Sequence, residues 1–298
     1  MSVIRRTAVL IVILCLVGAI PGAAAGETLK VGASFAIIAD FAQQVGGDQV
    51  EVVSLVPALA DPHSWEPTPQ DARAVAAFDI LFVNGEGYEE WLWDLVSSAS
   101  SPGLPIVELS VGLEPLPGPS HSVHHHAHDP HFWLSVPNAV HYVERITLAL
   151  MELDPAHAQA YRERANAYQE QLWELDRWLL DELALIPEEN RMLVTYHNAF
   201  AYFAERYGFT TAEFLVNHPD REPTAQDMVN LIRLLRGVSR PVVFAEPQFG
   251  VGQRYVKSIA GEIGGEVHVL YSATLTSEIP SYIDLMRYNG QVLLEALR

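Results

Sequence analysis

Apolar positions fall into short dense runs alternating with longer periodic stretches. Leu29-Lys30-Val31-Gly32-Ala33-Ser34 reads as a first strand ending in a Gly/Ser turn, and a helix is predicted from Ile37 to Val45. Val50 to Val56 is dense enough in β-branched residues to predict a strand buried on both faces, as in a parallel sheet. Thr68-Pro69-Gln70-Asp71 predicts a helix start. Thr68 can cap, Pro69 suits the first helical position, and Asp71 favours the positive end of the helix dipole. Asp79 to Val83 reads as a third strand. Strands alternating with helices predict an α/β lobe around a parallel sheet.

Beyond a Pro-, Gly-, Ser- and His-rich loop over 115–130, a helix is predicted after Pro137-Asn138 to about Leu153, where Asp154-Pro155 interrupts it. A long helical stretch follows from Ala156 to Leu185, without internal Gly or Pro and rich in Ala, Glu, Gln, Leu and Arg. Its length suits a spacer between two lobes. The α/β pattern then restarts. Met192 to Thr195 is a predicted strand, and Ala199 to Tyr207 a helix closed by Gly208. Thr224 to Asp227 is a capping box opening a helix to Leu235. Pro241 to Ala245 is a strand, Arg254 to Ile263 a helix, Val267 to Leu270 a strand, and Ser281 to Leu297 the last helix. The expected fold is two parallel-sheet α/β lobes bridged by one long helix: a first lobe over 26–155, the bridge over 156–186, and a second lobe over 187–298. No tandem short repeat is present.

Composition narrows the functional classes. The 298 residues include 18 Lys plus Arg against 37 Asp plus Glu, a formal net charge of −19. Such acidity argues against nucleic-acid binding and against polybasic attachment to anionic lipid. Residues 1–25 read as a secretory signal peptide: Arg5 and Arg6, an apolar run from Thr7 to Ile20, then Ala23-Ala24-Ala25. The apolar run is short of the ~20 residues that a membrane span needs. Periplasmic or other extracytoplasmic placement without stable membrane insertion is therefore expected. Cys15 is the only cysteine; it follows Leu14, which is not small, so lipid attachment is not expected. Once residues 1–25 are removed, no disulfide or thiolate ligand is available, and a transition-metal site must use His and carboxylates.

Twelve histidines occur, and His121, His124, His125, His126, His128 and His131 crowd one tract. Neutral imidazole ligates zinc, copper and nickel, so the tract predicts metal contact, although a loop of this kind binds loosely. Three histidines look more positional: His63 in Asp61-Pro62-His63-Ser64-Trp65, His131 in Asp129-Pro130-His131-Phe132-Trp133, and His197 in Tyr196-His197-Asn198. His63 and His197 follow predicted strands, one in each lobe, where open α/β sheets bind ligands. A single such histidine is more often a hydrogen-bonded structural residue; the shared placement is what singles these out. His141, His157, His218 and His268 have no such setting and read as structural.

The chain resembles the zinc- and manganese-binding solute-binding proteins of bacterial ABC importers, over essentially its whole length after the signal. The resemblance rests on Pro62-His63-Ser64-Trp65-Glu66-Pro67-Thr68-Pro69, His128-Asp129-Pro130-His131-Phe132-Trp133-Leu134, Thr195-Tyr196-His197-Asn198-Ala199-Phe200-Ala201-Tyr202-Phe203 and Phe244-Ala245-Glu246-Pro247-Gln248-Phe249. Tyr282 to Asn289 adds support. It implies two α/β lobes bridged by a long helix, with metal in the cleft between them and His63, His131 and His197 as ligands. Manganese members commonly carry Glu at the position of His197, so imidazole there points to zinc, the transported ligand. The tract of His121, His124, His125, His126 and His128 becomes a low-affinity metal loop. The family often supplies a fourth ligand, an Asp, where this chain reads Leu270-Tyr271-Ser272-Ala273-Thr274-Leu275. Water is the default there, with Asp61, Glu66, Glu222 and Glu246 as alternatives.

The expected function is capture of Zn2+ outside the cytoplasm by a monomer and its delivery to the membrane permease of an ABC importer. The alternatives are a zinc-dependent hydrolase, with Glu246 as its base, and a metal buffer or adhesin without a transporter. Against the enzyme, the chain has no HExxH, no Gly-x-Ser-x-Gly and no cysteine nucleophile.

Overall fold

A computed structural model describes residues 28–99, 103–118, 128–216 and 222–298. The signal segment with Cys15, the histidines 121 and 124–126, and His218 lie outside the described residues.

The first sheet is built from β1 (Leu29–Ala33), β2 (Val50–Ser54), β3 (Ile80–Val83) and β4 (Ile106–Glu108). Its order is β2-β1-β3-β4, all parallel. The connections run through α1 (Ala36–Gly46), α2 (Pro69–Val75) and α3 (Glu90–Ala99). Thr68 caps α2 as expected, and with Asp71 it forms a full capping box, each side chain bonded to the other's backbone N–H. Sequence reading had assigned no element to α3 or β4. β4 spans only three residues, too short for a period to show.

α4 (Val136–Leu153) leads to the break at Asp154-Pro155, and α5 (Ala158–Leu183) follows. The buried residues of α5 are Tyr161, Ala165, Tyr168, Leu172, Leu175, Asp176, Leu179 and Leu183, a stripe at three- and four-residue spacing. The helix packs against α4, α1 and the last helix. Asp176, charged and buried within it, accepts from Arg206 and from the Tyr207 hydroxyl, so its charge is paired.

The second sheet contains β5 (Met192–His197), β6 (Thr210–Val216), β7 (Val242–Ala245) and β8 (Glu266–Val269). Its order, β6-β5-β7-β8, repeats that of the first sheet, again all parallel. The helices are α6 (Ala201–Tyr207), α7 (Ala225–Leu235), α8 (Gly250–Ile263) and α9 (Tyr282–Leu297). Gly208 closes α6 in the left-handed conformation, and Thr224 with Asp227 caps α7 as expected. β6 was not anticipated. Two expected boundaries also move. β5 continues to His197, which pairs with Val216, so His197 ends the strand rather than following it. α8 begins at Gly250 rather than Arg254, because Gly252 lies against the Tyr196 ring, where a Cβ would come within 2.8 Å. Of the two glycines that open this helix, Gly252 makes a close helix–strand contact.

The chain thus forms two parallel-sheet α/β lobes joined by a long helix. The largest buried cluster does not stop at the boundary between them. It runs from Val31 and Phe41 through Tyr142, Leu172 and Leu179 to Phe203, Phe244 and Leu293. No helix among the described residues is long and apolar enough to cross a membrane.

Candidate metal centre

The three positional histidines come together where the lobes meet. His63 lies in the loop after β2, His131 just before the 3-10 turn Phe132–Leu134, and His197 at the end of β5. One ligand atom from each lies within 4.8 Å of the others, and no fourth His, Asp or Glu joins the group among the described residues. Ring centroids are 5.1 Å apart for His63 and His131, 5.7 Å for His63 and His197, and 5.3 Å for His131 and His197. His63 Nε2 and His131 Nε2 are 3.1 Å apart. Two nitrogens each about 2.05 Å from a tetrahedral zinc would be about 3.3 Å apart, so this edge already has the right length.

Each ring is held by the sequence around it. Asp129 Oδ1 accepts from the His131 backbone N–H at 2.9 Å and lies 2.7 Å from its Nδ1. Asp129 itself is fixed from the other lobe, because the Tyr202 hydroxyl donates to its carbonyl at 2.8 Å. His197 Nδ1 lies 2.6 Å from Glu246 Oε1, just beyond the end of β7. Glu246 Oε2 in turn accepts from the Ser272 hydroxyl and from Gln248. For His63, Asp61 Oδ1 accepts from the backbone N–H at 3.1 Å, and Asp61 Oδ2 accepts from Ser64. With Nδ1 engaged on His131 and His197, the proton sits there and the Nε2 lone pairs face the cleft.

The electrostatics suit a cation. Asp129 and Glu246 are both 1% exposed and stand one ring away from the converging nitrogens, so a buried dication would meet compensating charge. Burial pushes the His197 imidazole down, but the charge and hydrogen bond of Glu246 outweigh it and leave the ring raised above its ordinary value.

Of the alternatives for a fourth ligand, Glu66 and Glu222 are exposed, Glu246 is committed to His197 and Ser272, and Asp61 caps its own loop. The segment 272–274 is buried but brings no carboxylate. The remaining described histidines are bonded elsewhere: His141 to the Val111 carbonyl, His157 to Asp154, His268 to Glu266. His128 lies outside the trio, 2.9 Å from Glu86 at the surface. Sequence reading missed Tyr88, which packs edge-on against His63 with centroids 4.4 Å apart. A lone Tyr in a Gly- and Glu-rich turn carries no signal of its own.

The family described as zinc-uptake complex component A, periplasmic (ZnuA), matches residues 31–296. A manganese-binding lipoprotein, MntA, of Halalkalibacterium halodurans is 34% identical over 276 residues, covering 91% of this chain and 89% of that protein. An iron-binding protein, YfeA, of Yersinia pestis is 34% identical over 267 residues, covering 87% and 83%. Among solved structures, a manganese-bound periplasmic metal-binding protein from Candidatus Liberibacter asiaticus superposes with a TM-score of 0.79 at 28% identity. That match covers 91% of this chain and all of the other.

Proposed function

The chain belongs to the ZnuA family of periplasmic metal-binding proteins, the substrate-binding components of ABC importers and not enzymes, and we propose that its cargo is Zn2+. In this reading His63, His131 and His197 bind the ion through Nε2, with residues 26–155 and 187–298 acting as the two gripping lobes and 156–186 as the strut. The monomer then presents the ion to the membrane permease. The observation that carries the zinc reading is the donor set: three imidazole nitrogens converge and no carboxylate among the described residues joins them. Zinc accepts four-coordination and binds imidazole well, whereas manganese favours oxygen ligands and stands at the weak end of the divalent series.

A second reading, a manganese or iron cargo, is favoured by what the relatives are called. Competition against a chromophoric chelator decides between them. Zinc should bind far more tightly than manganese or ferrous iron; manganese ahead of zinc would overturn the zinc reading and leave the family assignment standing. A metal-soaked crystal with anomalous scattering at the zinc edge should place the ion on the three Nε2 atoms.

The reading also includes export, with cleavage after Ala25. The expectation that Cys15 carries no lipid is not supported by relatives that are named lipoproteins. The mass of the mature N-terminus separates the outcomes: a chain starting at Gly26 is a free protein, and a lipidated Cys15 an anchored one.

A further inference from the structure

Tyr88 is 1% exposed, and its hydroxyl has no hydrogen-bond partner among the described residues. A buried hydroxyl left unpaired is costly and rare, so its place needs a reason. The ring sits against the histidine trio: besides His63, its centroid lies 5.7 Å from that of His131 at 77°. Trp133 at 4.9 Å and Phe35 at 5.2 Å also pack against the ring and hold it in place. The carboxylates whose charge reaches the hydroxyl are Asp61, Glu89 and Glu246, from both lobes, and Asp61 and Glu246 are the groups that brace His63 and His197.

The buried segment 272–274 brings no carboxylate, and its hydroxyls are engaged. The Ser272 hydroxyl is spent on Glu246, Ala273 has no donor or acceptor in its side chain, and the Thr274 hydroxyl accepts from Leu59 N–H at 2.9 Å. Three nitrogens leave one position of a tetrahedral shell to solvent. We propose that the Tyr88 hydroxyl donates a hydrogen bond to the water that fills this fourth position on the bound ion, and so fixes where the open side of the shell points. An oxygen bound to zinc through one lone pair keeps another that accepts from the phenol. The water thereby replaces a protein carboxylate, and the orphaned hydroxyl gains the partner it lacks in the protein alone. This rests on the reading of the trio as a zinc site.

The test is Tyr88→Phe, which keeps the ring and its packing and removes only the unpartnered hydroxyl. Zinc affinity is read by chelator competition. Cobalt(II) is then placed in the site, where its visible bands report the geometry and occupants of the shell. The expected result is about tenfold weaker zinc binding and altered cobalt bands, the size of one lost hydrogen bond. The melting temperature of the metal-free protein should not fall. A purely structural role would lower that melting temperature and leave the cobalt bands unchanged, and would overturn the proposal. So would unchanged zinc affinity and cobalt bands in the folded variant. The Ala variants of His63, His131 and His197 separate the two levels. If they lose zinc while Tyr88→Phe is silent, only the role of Tyr88 fails. If they keep zinc, the site reading fails and takes this proposal with it.

Discussion

The two sheets have the same strand order, yet the ends of their middle strands hold different pairs. In the first sheet Ser34, just past β1, donates from Oγ to Glu89 Oε1 at 2.5 Å. In the second, His197 at the end of β5 meets Glu246, just past β7, at 2.6 Å. Both carboxylates are buried and both pairs tie neighbouring strands together. The Ser–Glu pair closes on itself. Glu89 also accepts from the backbone N–H groups of Asn84 and Gly85 in a turn where Gly85, Glu86 and Gly87 all have positive φ. The His–Glu pair does not close, because imidazole has a second nitrogen on the far side of the ring. One carboxylate at a strand end can therefore be a lock or the brace of a ligand, and the residue opposite decides which.

The sharpest way to break this comparison is to remove the proposed ligands. His63→Ala, His131→Ala and His197→Ala should each weaken zinc binding by more than about 100-fold, since outer-shell losses alone cost 10- to 100-fold. His141→Ala, His157→Ala and His268→Ala should change it by less than about threefold. Titration calorimetry on the six variants decides, and equal losses in both sets would refute the assignment.

The next test sets one carboxylate against the other. Glu246→Gln should weaken zinc by about 10- to 100-fold. It should also shift the acid loss of binding to lower pH. A proton competes with the ion for His197, and Glu246 is what raises that ring's affinity for protons. Glu89→Gln should leave zinc affinity within about threefold and show instead in stability. Burial pushes the Glu89 carboxyl up to about 7, against 4.5 for an ordinary Glu. The folded state therefore binds more protons between these values, so stability falls as pH rises from 4.5 to about 7 and levels off above. That slope should flatten in Glu89→Gln, as measured by denaturant unfolding across the window; an unchanged slope would show that Glu89 does not titrate there.

A smaller effect is expected from exchanging the ligand rather than losing it. His197→Glu should narrow the zinc-over-manganese gap by on the order of tenfold, with zinc still ahead. Competition titrations of both metals on both proteins measure this, and a widened gap would contradict it. The smallest effect on the tight site is expected from deleting residues 121–127. That segment precedes the bond between Tyr202 and Asp129 and contains none of the trio, so one tight site should remain within about twofold while weaker extra binding disappears. Loss of the tight site would make one of those histidines a primary ligand.

The three histidines were legible in the sequence because each stands in a run of unusual residues, such as Asp129-Pro130-His131-Phe132-Trp133, at the end of a recognisable element. The lobes and the long helix were legible from period and capping. What stayed hidden depends on contacts between distant segments. β6 shows no clean alternation and is made a strand by pairing with β5. The early start of α8 depends on the Tyr196 ring. Tyr88 gains its place only when His63 and Trp133 fold around it. Glu246 stands in the sequence as a candidate fourth ligand or base; its hold on His197, with Ser272 and Gln248 on its other oxygen, depends on contacts between distant segments.

Several hydrogen bonds cross between the lobes around the centre: Leu59 to Thr274, Trp133 to the Ser272 carbonyl, Tyr282 to the Trp133 carbonyl, and Tyr202 to the Asp129 carbonyl. Their consequence is kinetic. A cleft whose walls are already fastened asks an arriving ion for little rearrangement, so filling is governed by how fast the ion sheds its hydration water. On the proposed site, emptying is the slow direction, because releasing one histidine strains the fastenings that position the others. Residence time is therefore set by what can loosen those cross-lobe bonds, and unloading becomes a property of the docked permease rather than of the free receptor.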